Sequence, residues 1–307
     1  MEGDSDKADI VVAGAINTDL VAVVERAPQA GETVTGSSFS IFSGGKGANQ
    51  AIAAQRSGSL TAMVGAVGDD AFGMDRRADL AADGIIVDGI TEFAGMASGV
   101  ALITVEREGE NRIAYVPGPT LRVTGEQIRG ALEAHRPAIY LQPNEVPSEV
   151  AAVAIRTARE LGASTVLNAA PDPTTVWPVL PDVQYLIVNE VEAFALVDES
   201  GPLDEIAIDL ARRSGTNVVL TAGAVGAYGV EDGEVFHVAA PAVQVVDTTG
   251  AGDTFCGAFA ACLAHGVPFG EAVAWSVVAG SLATTISGAQ PSIPRREVVE
   301  GFITDSR

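Results

Sequence analysis

The chain has 307 residues, enough for one large core with a smaller insert, since single hydrophobic cores stop growing at roughly 250 to 300 residues. Asp and Glu number 40 against 18 Lys and Arg, a formal net charge of -22, and Lys7 and Lys46 are the only lysines. Such a balance argues against nucleic acid and anionic membranes as partners, because both need clustered positive charge, and it suits a salt-rich cytoplasm in which screening blunts carboxylate repulsion.

The first element, IVVAGAI at 10–16, reads as a fully buried strand. From Asp19 to Phe42, β-rich pieces (LVAVVE, ETVTGSSFSIF) alternate with Pro and Gly, without helical periodicity. SGVALITVEREGENRIAYV at 98–116 reads as a hairpin turning at Glu108 to Asn111. These two segments, 17–42 and 98–116, are expected to form a small β-sheet lid. Residues 1–16, 43–97 and 117–307 carry the core, where strand then helix repeats: TAMVGAVG, DAFGMDRRADLAADG, AIYLQ, PSEVAAVAIRTARELG, STVLNAAP, YLIVNEVEAFALV and TNVVLTAG. That alternation predicts an α/β fold, a doubly wound, mostly parallel sheet covered by helices on both faces. Thr124, with Gln127 three residues on, predicts a capping-box start for a helix at 124–134. The tail reads as helical from Gly252 to about Thr285. Cys256 and Cys262, six residues apart on different faces of that stretch, read as core thiols. No apolar run approaches the roughly 18 residues of a membrane span, and MEGDSDKADI lacks a signal-peptide pattern, so a cytoplasmic protein is expected.

Four stretches carry candidate chemistry. In SGGKGANQAIAAQRSG (43–58) a Walker loop fails, because Gly47 follows Lys46 and Ser40 stands at the first Gly position; a dinucleotide fingerprint fails at Gln50. What remains is a glycine turn with Lys46 and Asn49 as donors beside a helix start, a ligand cradle or an ordinary strand-to-helix turn. GAINTDL puts Asn17 and Asp19 just beyond the first strand, on one side of an extended segment, suited to vicinal hydroxyls or to an Asx turn. In VVDTTGAGDTF, Gly250, Ala251 and Gly252 lead into a helix whose first-turn amides form an anion site. Asp253 beside them is either a dipole partner or a base that takes a hydroxyl proton while the amides hold the transferred group. IVNEVEA places Asn189, Glu190 and Glu192 at a strand-to-helix junction, as dipole partners or as groups holding Mg2+ through water, and LTAGAVGAYGV offers Gly223 and Gly226 to a flat base.

GGKGANQ and DTTGAGDTFCGAF together resemble the two signatures of the PfkB (ribokinase) family of sugar kinases, and GAINTD, GETVTG, VGDDAFG, STVLNAAP, VNEVE, TAGAVGAYGV and SGAQPSIP follow in the family order from about Ile10 to Phe302. The resemblance implies a doubly wound core with a β lid, ATP and Mg2+, and transfer of a phosphoryl group to the 5-hydroxyl of a ribofuranosyl substrate. D-ribose leads; ribose 1-phosphate and a nucleoside are the alternatives, and a catalytically silent sugar-binding protein is the reading from a different class. It implies Asp253 as base, Gly250, Ala251 and Gly252 as anion hole, and Asn17, Asp19, Gly45, Lys46, Asn49 and Glu145 around the sugar. Asn189, Thr221, Gly223 and Gly226 fall to the nucleotide and Glu192 to Mg2+. Asp247 and Thr249, with Ala283, Gly288 and Ser292, fall around a monovalent cation, K+, and two lids pair into a homodimer. LQPNEVPSE carries one residue more than the family pattern before Glu145, and PGPT (117–120) replaces Gly-Ala-Asn at the return of the lid. Both changes fall near the anomeric end of the sugar, where Arg112 is a candidate partner for a 1-phosphate.

Overall fold

The structure is a computed structural model and describes residues 7–107 and 110–305. In chain order its regular elements are β1 (Ile10–Ala13), β2 (Asn17–Val24), β3 (Gly36–Gly44), α1 (Lys46–Arg56), β4 (Thr61–Gly68), α2 (Ala71–Ala82), β5 (Ile90–Phe93), β6 (Gly99–Val105), β7 (Asn111–Val116), α3 (Gly125–His135), β8 (Ile139–Pro143) and α4 (Ser148–Glu160). There follow β9 (Ser164–Asn168), β10 (Tyr185–Asn189), α5 (Glu190–Val197), α6 (Leu203–Ser214), β11 (Asn217–Thr221), β12 (Gly226–Glu231), β13 (Glu234–Ala239), α7 (Ala251–Ala264), α8 (Phe269–Ala283), α9 (Ala289–Ser292) and α10 (Arg296–Asp305).

Nine strands form the main sheet in the order β13-β12-β11-β10-β9-β8-β1-β4-β5. The run from β11 through β10, β9, β8, β1 and β4 to β5 is parallel, as continuous apolar strands between two helical layers require. β4 is buried at all eight positions and β8 at all five, so neither shows alternation. One core cluster packs Tyr140, Ile155 and Leu186 on one face, and the other packs Ile52, Phe259 and Phe269 on the opposite face. At the far edge β12 and β13 turn back antiparallel, a hairpin that the sequence pattern did not separate from the strand before it. Local signals behave as expected at α3, where Thr124 and Gln127 exchange side-chain and backbone bonds at 3.0 and 3.2 Å. The stretch expected to be helical from Gly252 to about Thr285 is made of two helices, α7 and α8. Gly266 at φ 74 takes the chain left-handed and Pro268 then caps the next helix, so no continuous ladder passes between them.

The second sheet, β3-β2-β6-β7, is antiparallel except for the central β2–β6 pair. Its β6–β7 hairpin matches the reading of 98–116; of the turn assigned to 108–111, Glu108 and Gly109 lie outside the described residues. The register puts Phe42, Asp19, Ala101 and Tyr115 in one row and Ile41, Leu20, Leu102 and Ala114 in the next. Successive rows face opposite sides of a sheet. Asp19 and the large apolar residues Ile41 and Leu102, which are exposed, therefore point opposite ways.

Candidate active site

Asp253 is the third residue of α7 and only 8% exposed. It sits there because α7 lies almost against α1: a Cβ on Gly257 would come within 2.3 Å of the Gln50 carbonyl. That contact brings two amides onto the carboxylate. Asn49 Nδ2 donates to Asp253 Oδ2 at 2.9 Å, and Gln50 Nε2 donates to Oδ1 at 3.0 Å. Gln50 was read only as the residue that breaks a dinucleotide fingerprint, and its contact with Asp253 was missed.

A cleft opens beside this carboxylate. Its smaller part, about 220 Å3, is lined by Lys46, Asn168, Asn189, Glu192, Gly250, Gly252 and Asp253, among others. Its larger part, about 700 Å3, runs along Gly223, Gly226, Ala240, Val243, Phe255 and Val277. Asn189, Thr221, Thr248 and Gly252 border both parts, so the two form one channel, polar near Asp253 and apolar farther out. The geometry suits a ligand with an anionic end and a flat apolar end.

Gly250 takes the left-handed conformation at the N-cap of α7, φ 78, and the first-turn amides after it have no partner within the helix. Three amides were expected to form the anion site, and one is diverted. The Ala251 N–H donates to the Thr248 carbonyl at 3.3 Å, whereas Gly250 and Gly252 line the polar cavity. Lys46 lines the polar cavity, and the negative charge of Asp253, then that of Glu145 and Glu192, outweighs burial and raises its pKa. At the next junction Asn189 and Glu192 form a capping box: Glu192 N–H donates to Asn189 Oδ1 at 2.8 Å and Asn189 N–H to Glu192 Oε2 at 2.9 Å. Burial pushes the Glu192 carboxyl up.

On the other side of Asp253 lies the lid. Asn17 is 5% exposed, and its Oδ1 has no hydrogen-bond partner in the protein. Burial first, then the charge of Asp253, raises the Asp19 pKa to about 6, with Arg76 pulling the other way. Gly45 stands at φ 94, directly against the Ala15 carbonyl. Tyr115, unmarked in the sequence, belongs to the row of Asp19. Burial pushes its phenol up, and side-chain hydrogen bonds with Asn17 and Thr120 pull the other way. Glu145 reaches this region despite the extra residue before it, but its oxygens accept main-chain N–H groups: Ala15 and Gly47 at 2.9 Å each and Lys46 at 3.2 Å. It caps α1 from another segment. Burial pushes its carboxyl up, and these bonds pull it down. Arg112 pairs with Glu106 at 2.7 Å and sits across from Thr104 and Ala22, on the lid face away from Asp19, so it is not placed to meet the anomeric end.

Of the residues implied around a monovalent cation, Asp247 draws Thr249 and Gly288 together, Oδ1 accepting from the Thr249 amide at 2.9 Å and Oδ2 from the Gly288 amide at 2.8 Å. Burial pushes this carboxyl up, but those bonds prevail and hold it below its usual value. Ser292 instead donates to Ala289, and Ala283 is buried at the end of α8. Among the described residues no three His, Cys, Asp or Glu side chains form a metal-binding cluster. Glu192 at the polar cavity nonetheless suits Mg2+, which in a nucleotide site takes phosphate oxygens and water for most of its ligands.

The sequence profile described as pfkB family carbohydrate kinase matches residues 7–296. The chain belongs to this family of kinases. It is 36% identical to the ribokinase of Bacillus subtilis, with 96% of this chain and 99% of that protein covered. It is 35% identical to that of Schizosaccharomyces pombe, covering 95% and 97%. Among solved structures, Arabidopsis thaliana ribokinase complexed with ribose and ATP superposes with a TM-score of 0.88 at 28% identity, over 97% of this chain and 99% of that one. Thermotoga maritima ribokinase gives the same score at 31% identity, with the same coverage. Among the described residues no helix is long and apolar enough to cross a membrane.

Proposed function

We propose that the protein is an ATP-dependent ribokinase that phosphorylates the 5-hydroxyl of D-ribose, with Asp253 as the base. The observation that carries this reading is the position of Asp253, buried at the mouth of α7 between the polar end of the cleft and the lid residues Asn17 and Asp19. Asn17, Asp19 and the remaining amide proton of Asn49 hold the sugar hydroxyls. As the 5-oxygen bonds to the γ-phosphorus, its proton passes to Asp253, and the β,γ-bridging P–O bond breaks with its electron pair leaving on ADP. Phosphoryl transfer depends on in-line placement and charge neutralisation more than on covalent help. Lys46 and the amides at Gly250 and Gly252 supply positive charge and donors where the moving group passes. The base lies along the apolar wall from Gly226 to Val243. Glu192 would hold Mg2+ through water, and the ion would supply neutralisation of phosphate charge.

Three finer features belong to the same proposal. Asp247 and Thr249, with Ala283, Gly288 and Ser292, would hold K+, since a carboxylate oxygen that accepts one amide proton keeps a second lone pair for a cation. The exposed Phe39, Ile41 and Leu102 on the outer lid face are covered by the lid of a second copy, giving a dimer measurable by sedimentation. The excess of carboxylates is an adaptation to salt, contradicted if activity and stability are as high in dilute buffer as in molar KCl.

The deciding experiment pairs Asp253→Ala with a substrate panel. The variant should lose turnover by about three or more orders of magnitude while binding ribose with little change; near-normal turnover would refute the assignment. In the panel, D-ribose should be preferred over ribose 1-phosphate, adenosine, guanosine and cytidine, and preference for a phosphorylated or base-carrying sugar would move the substrate to one of those alternatives.

A further inference from the structure

Three of the ordered motifs contribute a polar side chain that the phosphoryl-transfer scheme leaves unused: Gln50 in GGKGANQ, Asn168 in STVLNAAP and Gln290 in SGAQPSIP. All three are buried, at 0%, 7% and 7% exposure, and all three are linked by hydrogen bonds to the same carboxylate, Gln50 directly and Asn168 and Gln290 each through one intervening amide. Gln50 Nε2 has two protons. One goes to Asp253 Oδ1 at 3.0 Å, the other to Asn168 Oδ1 at 3.2 Å, while the Asn168 amide group donates to the Ile187 carbonyl at 3.4 Å. From the opposite side, Gln290 Nε2 donates to Asn49 Oδ1 at 3.1 Å, and Asn49 Nδ2 donates to Asp253 Oδ2 at 2.9 Å. Gln290 is itself fixed by Arg56, whose Nη1 donates to the Gln290 carbonyl at 2.7 Å while Nε and Nη2 form a fork on Asp83.

An ionised carboxylate can only accept, so both amides beside Asp253 must present their NH2 groups to it. That choice turns the Asn49 oxygen outward, toward Gln290. Every amide in the chain then has one permitted orientation. We propose that Gln50, supported by Asn168, and Gln290, acting through Asn49, are positioning residues that lock the plane of the Asp253 carboxylate: each oxygen accepts one amide proton, and a remaining lone pair is held toward the sugar 5-hydroxyl. The Gln50 oxygen is buried and without a partner, so the polar contacts of this side chain all run through its nitrogen. In an ordinary core the desolvated oxygen would weigh against a glutamine here.

This inference rests on Asp253 being the base, and the experiment separates the two. Gln50→Met keeps volume and removes both donors. With Asp253 intact, it should lower kcat by about thirtyfold, with the KM for ribose and the Kd for ATP changed less than about threefold, because a misplaced group loses rate rather than binding. Gln290→Met, one bond farther away, should lower kcat by about fivefold. In an Asp253→Ala background Gln50→Met should lower the residual rate no further, since its partner is gone. The proposal is overturned if kcat of Gln50→Met stays within twofold of the parent, if the loss appears in the KM for ribose instead, or if the same loss persists in the Asp253→Ala background. Should Gln50→Met not fold, Gln290→Met decides alone, and an unchanged kcat there overturns the proposal. An Asp253→Ala enzyme with near-normal turnover would instead sink the base assignment, whatever the Gln50 result.

Discussion

Gly252 separates the catalytic reading of the α7 mouth from a purely structural one. It is the second residue of α7, in ordinary helical conformation, and a Cβ added there would meet no heavy atom within 4 Å. Alanine is favoured over glycine in a helix by up to about 1 kcal/mol, which for a chain of this size raises Tm by roughly 1–3 °C. Gly252→Ala should therefore fold as well as the parent or slightly better. Yet Gly252 borders both parts of the cleft, so the methyl projects into the space through which the phosphoryl group must pass. A displacement of about 1 Å at a reacting centre costs on the order of a hundredfold in rate, about 2.7 kcal/mol of barrier. Thermal unfolding and steady-state ADP release, measured on the same preparation, should give an unchanged or raised Tm with kcat down about a hundredfold. A variant with both Tm and kcat unaltered would refute the placement of the phosphoryl group. Gly250→Ala is the contrast: at φ 78, with its Cβ 2.9 Å from the Ala289 Cα, it should lose stability and activity together.

The remaining predictions concern the sugar side. Asp19 must be ionised to accept from two hydroxyls. With its pKa at about 6, the KM for ribose should rise as pH falls through that value, to about tenfold above its neutral-pH level at pH 5; Asp19→Asn should raise KM at every pH and abolish this limb. The same shift has the opposite sign for stability. Between the unfolded value of 3.8 and about 6 the native state binds the extra proton, so this group's contribution to stability declines as pH rises through that window, which acid titration of Asp19→Asn against the parent would show by a flatter profile. Gly99→Ala places a Cβ 2.2 Å from Asn17 Oδ1 and should expel that side chain, raising the KM for ribose tenfold or more with the Kd for ATP unchanged; equal losses on both substrates would contradict it.

What could be read from the sequence was what depends on neighbours in the chain. β4 was visible as an unbroken apolar run, α3 by its capping pair, and the lid by period-two pieces without helical spacing. The glycine mouth of α7 and the Asn17–Asp19 pair were also visible, because each spans only a few residues. The break between α7 and α8 was missed although Gly266 and Pro268 mark it, since the apolar composition on either side is the same. Glu145 was placed at the site, but not as the cap of α1, because its partners Ala15 and Gly47 lie 130 and 98 residues away. The network around Asp253 is more distant still: Gln50 is 203 residues from Asp253, and Gln290 is 241 from Asn49. No periodicity reports such a pairing. What brings these groups together is Gly257, one helical turn beyond Asp253, whose missing side chain lets α7 descend onto α1 until the Gln50 amide reaches the carboxylate. A glycine in an apolar helix is thus the condition for the polar contact next to it.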